Sequence, residues 1–188
     1  GLTMGADPIA AAALAAGFGG KAFFVRKEAK QHGLQRRIEG PTLDPSDRCL
    51  IVEDVVTSGG STLEAIAAVR EAGLRRLGVV GGAGSLEVAP GVQLGDTPEF
   101  PAAYKTVALA HRDTLAIYRA ASDIDWTFFS PAAEIGPGET RGHYRTGEKN
   151  LLVDGEGRSR ISYGDYAAAV VAEVEHPRYV QTIATASY

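Results

Sequence analysis

The sequence predicts an α/β protein, a doubly wound and mostly parallel sheet with helices on both faces. Three observations carry this. Within residues 49–72 a short β-branched run, Leu50 to Val52, passes through a glycine-rich turn into apolar residues at helical spacing, so the hydrophobic period changes at the glycines. A second run, residues 77–80, follows that helix beyond Gly73, and both runs are short and unbroken, as in strands buried on both faces. Strand and helix patterns then go on alternating to the end of the chain.

Taken in order, Asp7 and Pro8 form a helix start, with Asp7 as N-cap and the proline in the first turn, and the helix runs from Ile9 to Ala16. Glycines at 17, 19 and 20 stop it, and residues 21–25 read as a short buried strand. Arg26, Lys27, Lys30 and His32 follow on a polar segment. Taken alone, these four potential cations within seven residues fit a solvated loop. The turn 43–47 leads into the central strand. The helix behind it presents Leu63, Ile66, Ala67 and Val69. Residues 77–80 run into Gly81-Gly82-Ala83-Gly84-Ser85. A helix over 104–121 has Val107, Leu109, Leu115 and Ile117 as its apolar residues, and 126–129 is an aromatic strand closed by Ser130-Pro131. Short strands are expected at 151–153 and 159–161 around the turn 154–157. A helix is expected at 163–173, and a last edge strand at 183–185.

The central strand is where chemistry concentrates. Leu50 to Val52 and Val55-Val56 frame Glu53 and Asp54, and Thr57, Ser58, Gly59, Gly60 and Ser61 turn the chain into the helix. The glycines let backbone approach a ligand, the hydroxyls add donors, and the first helical turn offers unpaired N–H groups where the dipole favours an anion, so a phosphate fits. The two carboxylates would repel it directly and suit neutral hydroxyls or a Mg²⁺ ion beside it. The same residues also fit an ordinary strand-to-helix turn with an N-cap serine and two solvated acids.

Composition narrows the classes. A chain of 188 residues with mixed charge and a net charge of −4 is expected to be globular and not a general nucleic-acid binder. The single cysteine, Cys49, excludes an internal disulfide and a cysteine-cluster metal site; core packing in a reducing cytoplasm is the expectation, with no metal held by the protein itself. No membrane-spanning run or signal segment is seen, so no membrane association is expected.

VEDVVTSGGST resembles the phosphoribosyl pyrophosphate (PRPP) motif of type I phosphoribosyltransferases. Upstream, FFVRKEAKQHG resembles the strand and catalytic loop of orotate phosphoribosyltransferase, and GLTMGADPIAAAAL its pyrophosphate loop and helix. The resemblance spans about residues 1–75. It implies that Glu53 and Asp54 hold the ribose hydroxyls and that residues 55–61, from Val55 and Val56 through the glycines, wrap the 5-phosphate. Lys27, Lys30 and His32, with Arg26 beside them, would then serve the departing pyrophosphate, and Asp54 would join those three as a catalytic residue. It also implies PRPP and pyrophosphate as ligands, Mg²⁺ as companion ion and a possible homodimer. From about residue 75 to the end, GGAGSLEVAPGVQLGDTPEFPAAYK and the stretch after it resemble the carboxyl-terminal half of NAD(P)H-binding, NmrA-like atypical short-chain dehydrogenases.

These two resemblances imply a chimera whose segments, 1–75 and 76–188, jointly build one Rossmann-like three-layer sandwich. The first βα unit with a dinucleotide fingerprint is missing, so no NAD(P) site is expected. No Tyr-x-x-x-Lys pair occurs either. Ser85 stands where the broader family can have a catalytic serine, with a turn or cap serine as the plainer role, and His111 and His143 are expected to be solvated. The leading expectation is a PRPP or phosphate binder without the base-binding parts for full orotate transfer; the alternatives are an NAD(P)-binding oxidoreductase-like protein and a fold with no catalytic function.

Overall fold

The computed structural model describes residues 3–15, 17, 19–25, 38–51 and 60–188. Helix α1 (Thr3–Ala15) begins four residues before the expected N-cap, so Pro8 lies inside it and Asp7 does not cap it. Strands β1 (Phe24–Val25) and β2 (Ile38–Glu39) pair antiparallel. Strand β3 (Arg48–Ile51) leads toward α2 (Gly60–Glu71) and then β4 (Arg76–Val80). Helix α2 ends where Gly73 takes φ +70°, its N–H bonding Arg70 O while the N–H of Leu74 bonds Val69 O. Only a residue at ease in the left-handed region suits that stop, and the paired bonds close the last turn before the chain enters β4.

A short 3-10 turn (Ala83–Ser85) and the small hairpin of β5 (Glu87–Ala89) and β6 (Val92–Gln93) precede α3 (Ala102–Ala120). Then come β7 (Asp125–Ser130), β8 (Glu134–Gly136), β9 (Arg145–Glu148), β10 (Arg160–Ser162), α4 (Tyr163–Glu175) and β11 (Thr182–Ser187). Ser162 caps α4 by accepting from the N–H of Asp165 and donating its hydroxyl to the Asp165 carboxylate, a reciprocal lock on the first turn.

The main sheet has the order β3-β4-β7-β11-β9, parallel through its first four strands and antiparallel at β9. This is a Rossmann-like α/β fold. Phe128 and Trp126 project to the α3 side, where Tyr118 meets both rings at 6.2 Å, whereas Phe129 projects to the other side and meets Tyr166 of α4 at 5.8 Å. Alternate residues of β7 therefore feed two cores, and Cys49 belongs to the first of them.

Three element-level expectations change. Residues 151–153 form no strand, because that stretch meets β5 only at the Glu87–Asn150 bridge and its flanking bonds. Strand β11 is not an edge, since β9 covers its outer side. On α2, Ile66 and Val69 are buried with Ala65 and Ala68, but Leu63 is 57% exposed. Among the described residues no helix is long and apolar enough to cross a membrane.

Candidate functional site

The strongest concentration of unexplained polar groups lies at the carboxyl ends of the parallel strands. Strand β4 ends at Val80 opposite Phe129, and the N–H of Gly81 continues the ladder to Phe129 O at 2.8 Å, which sets Gly81 beside Ser130. Thr185 of β11 is in register with Ser130. A Cβ on Gly81 would overlap the Phe128 ring and stand 2.9 Å from Ser130 Oγ, so only glycine lets the chain leave β4 so close to β7. Gly84 plays the same part against α3, where a Cβ would come within 2.8 Å of the Ala108 methyl group.

Helix α3 contributes the floor. Its buried face is Ala110, Thr114, Leu115 and Tyr118, with His111 beside them, rather than Val107, which is exposed. His111 lies under Gly82, whose added Cβ would be 3.0 Å from the imidazole, and sets its ring edge-on to Phe128 at 6.3 Å. The expectation of a solvated His111 is therefore corrected: α3 turns it inward, and burial lowers its pKa below the ordinary value of 6.5. It is neutral at pH 7. His143, by contrast, is exposed, with Nδ1 3.1 Å from Arg141 O.

Five polar atoms of this region are enclosed and lack a partner: Ser85 Oγ, His111 Nδ1, Thr114 Oγ1, Ser130 Oγ and Thr185 Oγ1. Buried hydroxyls and ring nitrogens are ordinarily satisfied, so such a set at one edge of a sheet makes this edge the candidate site. The set carries no formal charge when His111 is neutral. It can donate to and accept from an amide or sugar hydroxyl, and it can pass a proton, but it offers no cation to a phosphate. The sequence signal for it is His111, Thr114 and Tyr118, which three- and four-residue spacings put on one helical face.

Of the residues singled out in the sequence, Arg26, Lys27, Lys30, His32, Glu53, Asp54, Val55, Val56, Thr57, Ser58 and Gly59 lie outside the described residues. Gly60 and Ser61 are the first two residues of α2. Because β3 and β4 are parallel neighbours joined through α2, the helix runs back against them and starts at the strands' carboxyl edge. Its first-turn N–H groups thus stand on the same edge as Gly81 and Ser130. No strand flanks β3 on its far side among the described residues.

A Rossmann-like α/β protein carries this edge, and comparison with known proteins gives its family. The model of the NAD(P)H-binding family matches residues 9–177, and the chain belongs to that family. A solved structure of a candidate exported protein from Burkholderia pseudomallei is 51% identical and superimposes with a TM-score of 0.69, covering 72% of this chain and 66% of that one. A candidate NADH-flavin reductase from Streptococcus pneumoniae is 32% identical with a TM-score of 0.64, covering 69% and 62%. The uncharacterised protein YwnB of Bacillus subtilis is 45% identical over 117 residues, 61% of this chain and 55% of its own. The orotate phosphoribosyltransferase of Streptomyces avermitilis is 53% identical over 103 residues, 49% of this chain and 56% of its own. The chain spans about half the length of these curated relatives.

Proposed function

We propose that this chain is an oxidoreductase-like NAD(P)H-binding protein whose nicotinamide end lies along the carboxyl edge of β4, β7 and β11. The carrying observation is the set of enclosed, unpartnered polar atoms there, which suits a carboxamide and ribose hydroxyls in number and in chemistry. Family membership and the reductase among the structural neighbours support the reading.

The residues present fit one half of the group. Ser130 and Thr185, adjacent across β7 and β11, have hydroxyls without a protein partner that could hold the carboxamide, and Gly81 and Gly82 let the chain pass close against Phe128 and His111 at the same edge. The first turn of α2 offers N–H groups to the pyrophosphate. Nothing beyond β3 among the described residues offers an adenosine pocket, so binding should be modest. When bound, the nicotinamide supplies a hydride. Ser85 and the neutral imidazole of His111 are the groups on this edge able to hold and pass the accompanying proton. Nicotinamide fluorescence on titrating NADPH tests this: saturable binding is expected, weakened about tenfold in Thr185→Val by loss of one or two hydrogen bonds. No binding to the unaltered chain refutes it.

A second reading rests on the orotate phosphoribosyltransferase matches, at 53% identity in Streptomyces avermitilis and 58% over 80 residues in Corynebacterium glutamicum. In it, residues 1–75 are a phosphoribosyltransferase-derived segment joined near Gly73 to an NAD(P)H-binding one. The acidic pair and the loop to Ser61 then bind PRPP with Mg²⁺, and the basic segment from Arg26 to His32 faces the pyrophosphate. A rise in melting temperature with PRPP and Mg²⁺ but not with NADPH would favour this reading over the first.

A further inference from the structure

A second concave site lies where β8 and β10 pair in parallel. The cleft holds about 310 Å³, enough for a small molecule, and its walls include Ile135, Ile161, Tyr188, Arg141 and Arg160. Its shape is fixed from below. Tyr188 donates its hydroxyl to Asp165 Oδ2 at 2.7 Å and accepts from the N–H of Ser162 at 3.1 Å. The N–H groups of Arg141 and Gly142 donate to the same carboxylate at 2.8 and 2.9 Å. Arg141 stands over the Tyr188 ring, its guanidinium carbon 3.9 Å from the centroid, and forms no ion pair among the described residues.

Arg160 is the unexplained member. Its Nε is enclosed and has no hydrogen-bond partner. Its ion-pair partner, Asp154, accepts from the N–H groups of Glu156 and Arg158 and pairs with Arg158 at 3.4 Å, leaving Arg160 at 3.8 Å, beyond hydrogen-bonding reach, while Glu134, in register with Arg160 on β8, forms no ion pair with it. A guanidinium with a buried, unsatisfied N–H beside an open cleft is poised for an oxyanion.

We propose that this cleft binds a small organic carboxylate, its oxygens taken by Arg160 and Arg141 and its apolar body lying against Tyr188 and Ile135. The charge balance selects that class. Glu134 and Glu139 also line the cleft, so its four charged lining side chains sum to zero, and the two carboxylates beside the arginines disfavour a multiply charged phosphate more than a singly charged carboxylate. A planar carboxylate also matches the fork of a guanidinium.

Benzoate, with benzamide and inorganic phosphate as comparisons, is titrated by NMR into the full chain, following the Nε–H of Arg160 and the ring protons of Tyr188. Benzoate should shift both saturably and the other two should not. Arg160→Met should weaken benzoate about tenfold or more, the loss expected of one charge-assisted hydrogen bond. Arg141→Met, at an exposed side chain, should weaken it as well and carries the test if the first variant fails to fold. Absent binding, equal binding of benzamide or phosphate, or folded variants that bind benzoate unchanged would overturn the proposal. No nucleotide is needed, so the outcome is independent of the NAD(P)H reading.

Discussion

Asp165 is the residue whose environment most exceeds what its place in the sequence suggests. It is fully buried, yet its carboxylate accepts from Tyr188, from the Arg141 and Gly142 N–H groups and from Ser162, and these bonds, the Tyr188 hydroxyl first, hold its pKa down to about 2. Because the folded-state pKa lies below the ordinary 3.8, the ionised form stabilises the fold above about pH 4, and that contribution disappears as pH falls toward 2. Denaturant unfolding of the parent chain and Asp165→Asn should therefore differ most at neutral pH and converge near pH 2; a constant difference across that range would count against the network. The Ser162-to-Asp165 spacing is a visible capping signature, but the bonds from residues 141, 142 and 188 join positions more than twenty residues apart and leave no local trace. Cys49, in contrast, was legible as core, because a lone thiol at the head of an apolar run has little else to do.

At the scale of elements, α4 is fastened to the sheet by a buried ion pair. Arg76 of β4 and Glu173 of α4 meet at 3.0 Å with side chains only 10% and 3% exposed. Arg76 also donates to Thr127 Oγ1 and Asp125 O, and Glu173 accepts from the N–H groups of Arg178 and Tyr179. Removing one partner strands a charge, so Glu173→Ala should lower unfolding stability by about 3–5 kcal/mol. A loss under about 1 kcal/mol in equilibrium unfolding would mean that water reaches Arg76 after all. Gly81→Ala makes a second test, because its Cβ would overlap the buried Phe128 ring: a lowered melting temperature is expected, and an unchanged one would contradict the close approach of β4 to β7. Elements written in pure periodicity, β4, β7, α3 and α4, were legible within a few residues. Strand β9, Arg-Thr-Gly-Glu, was not, since an edge strand with half its surface in water carries no apolar alternation.

For the whole molecule, the α/β class and parallel sheet followed from strand–glycine–helix units, because burial on both faces dictates short unbroken runs. Which family owns those units did not follow, since one βα unit with a glycine turn serves phosphoribosyl and dinucleotide ligands alike. The match of the NAD(P)H-binding family from residue 9 includes the segment whose motif resembles phosphoribosyltransferases. The cluster of unpartnered polar atoms around Ser130 and Thr185 left a local trace only on α3, at His111 and Thr114, because the rest of it is assembled from separate strands. The most direct test is the position of the nicotinamide ring itself. Nuclear Overhauser contacts from the ring protons of bound NADPH should reach the amides of Gly81 to Ser85 and the Thr185 methyl; contacts confined to Tyr188 and the β8–β10 cleft, or none at all, would contradict the account.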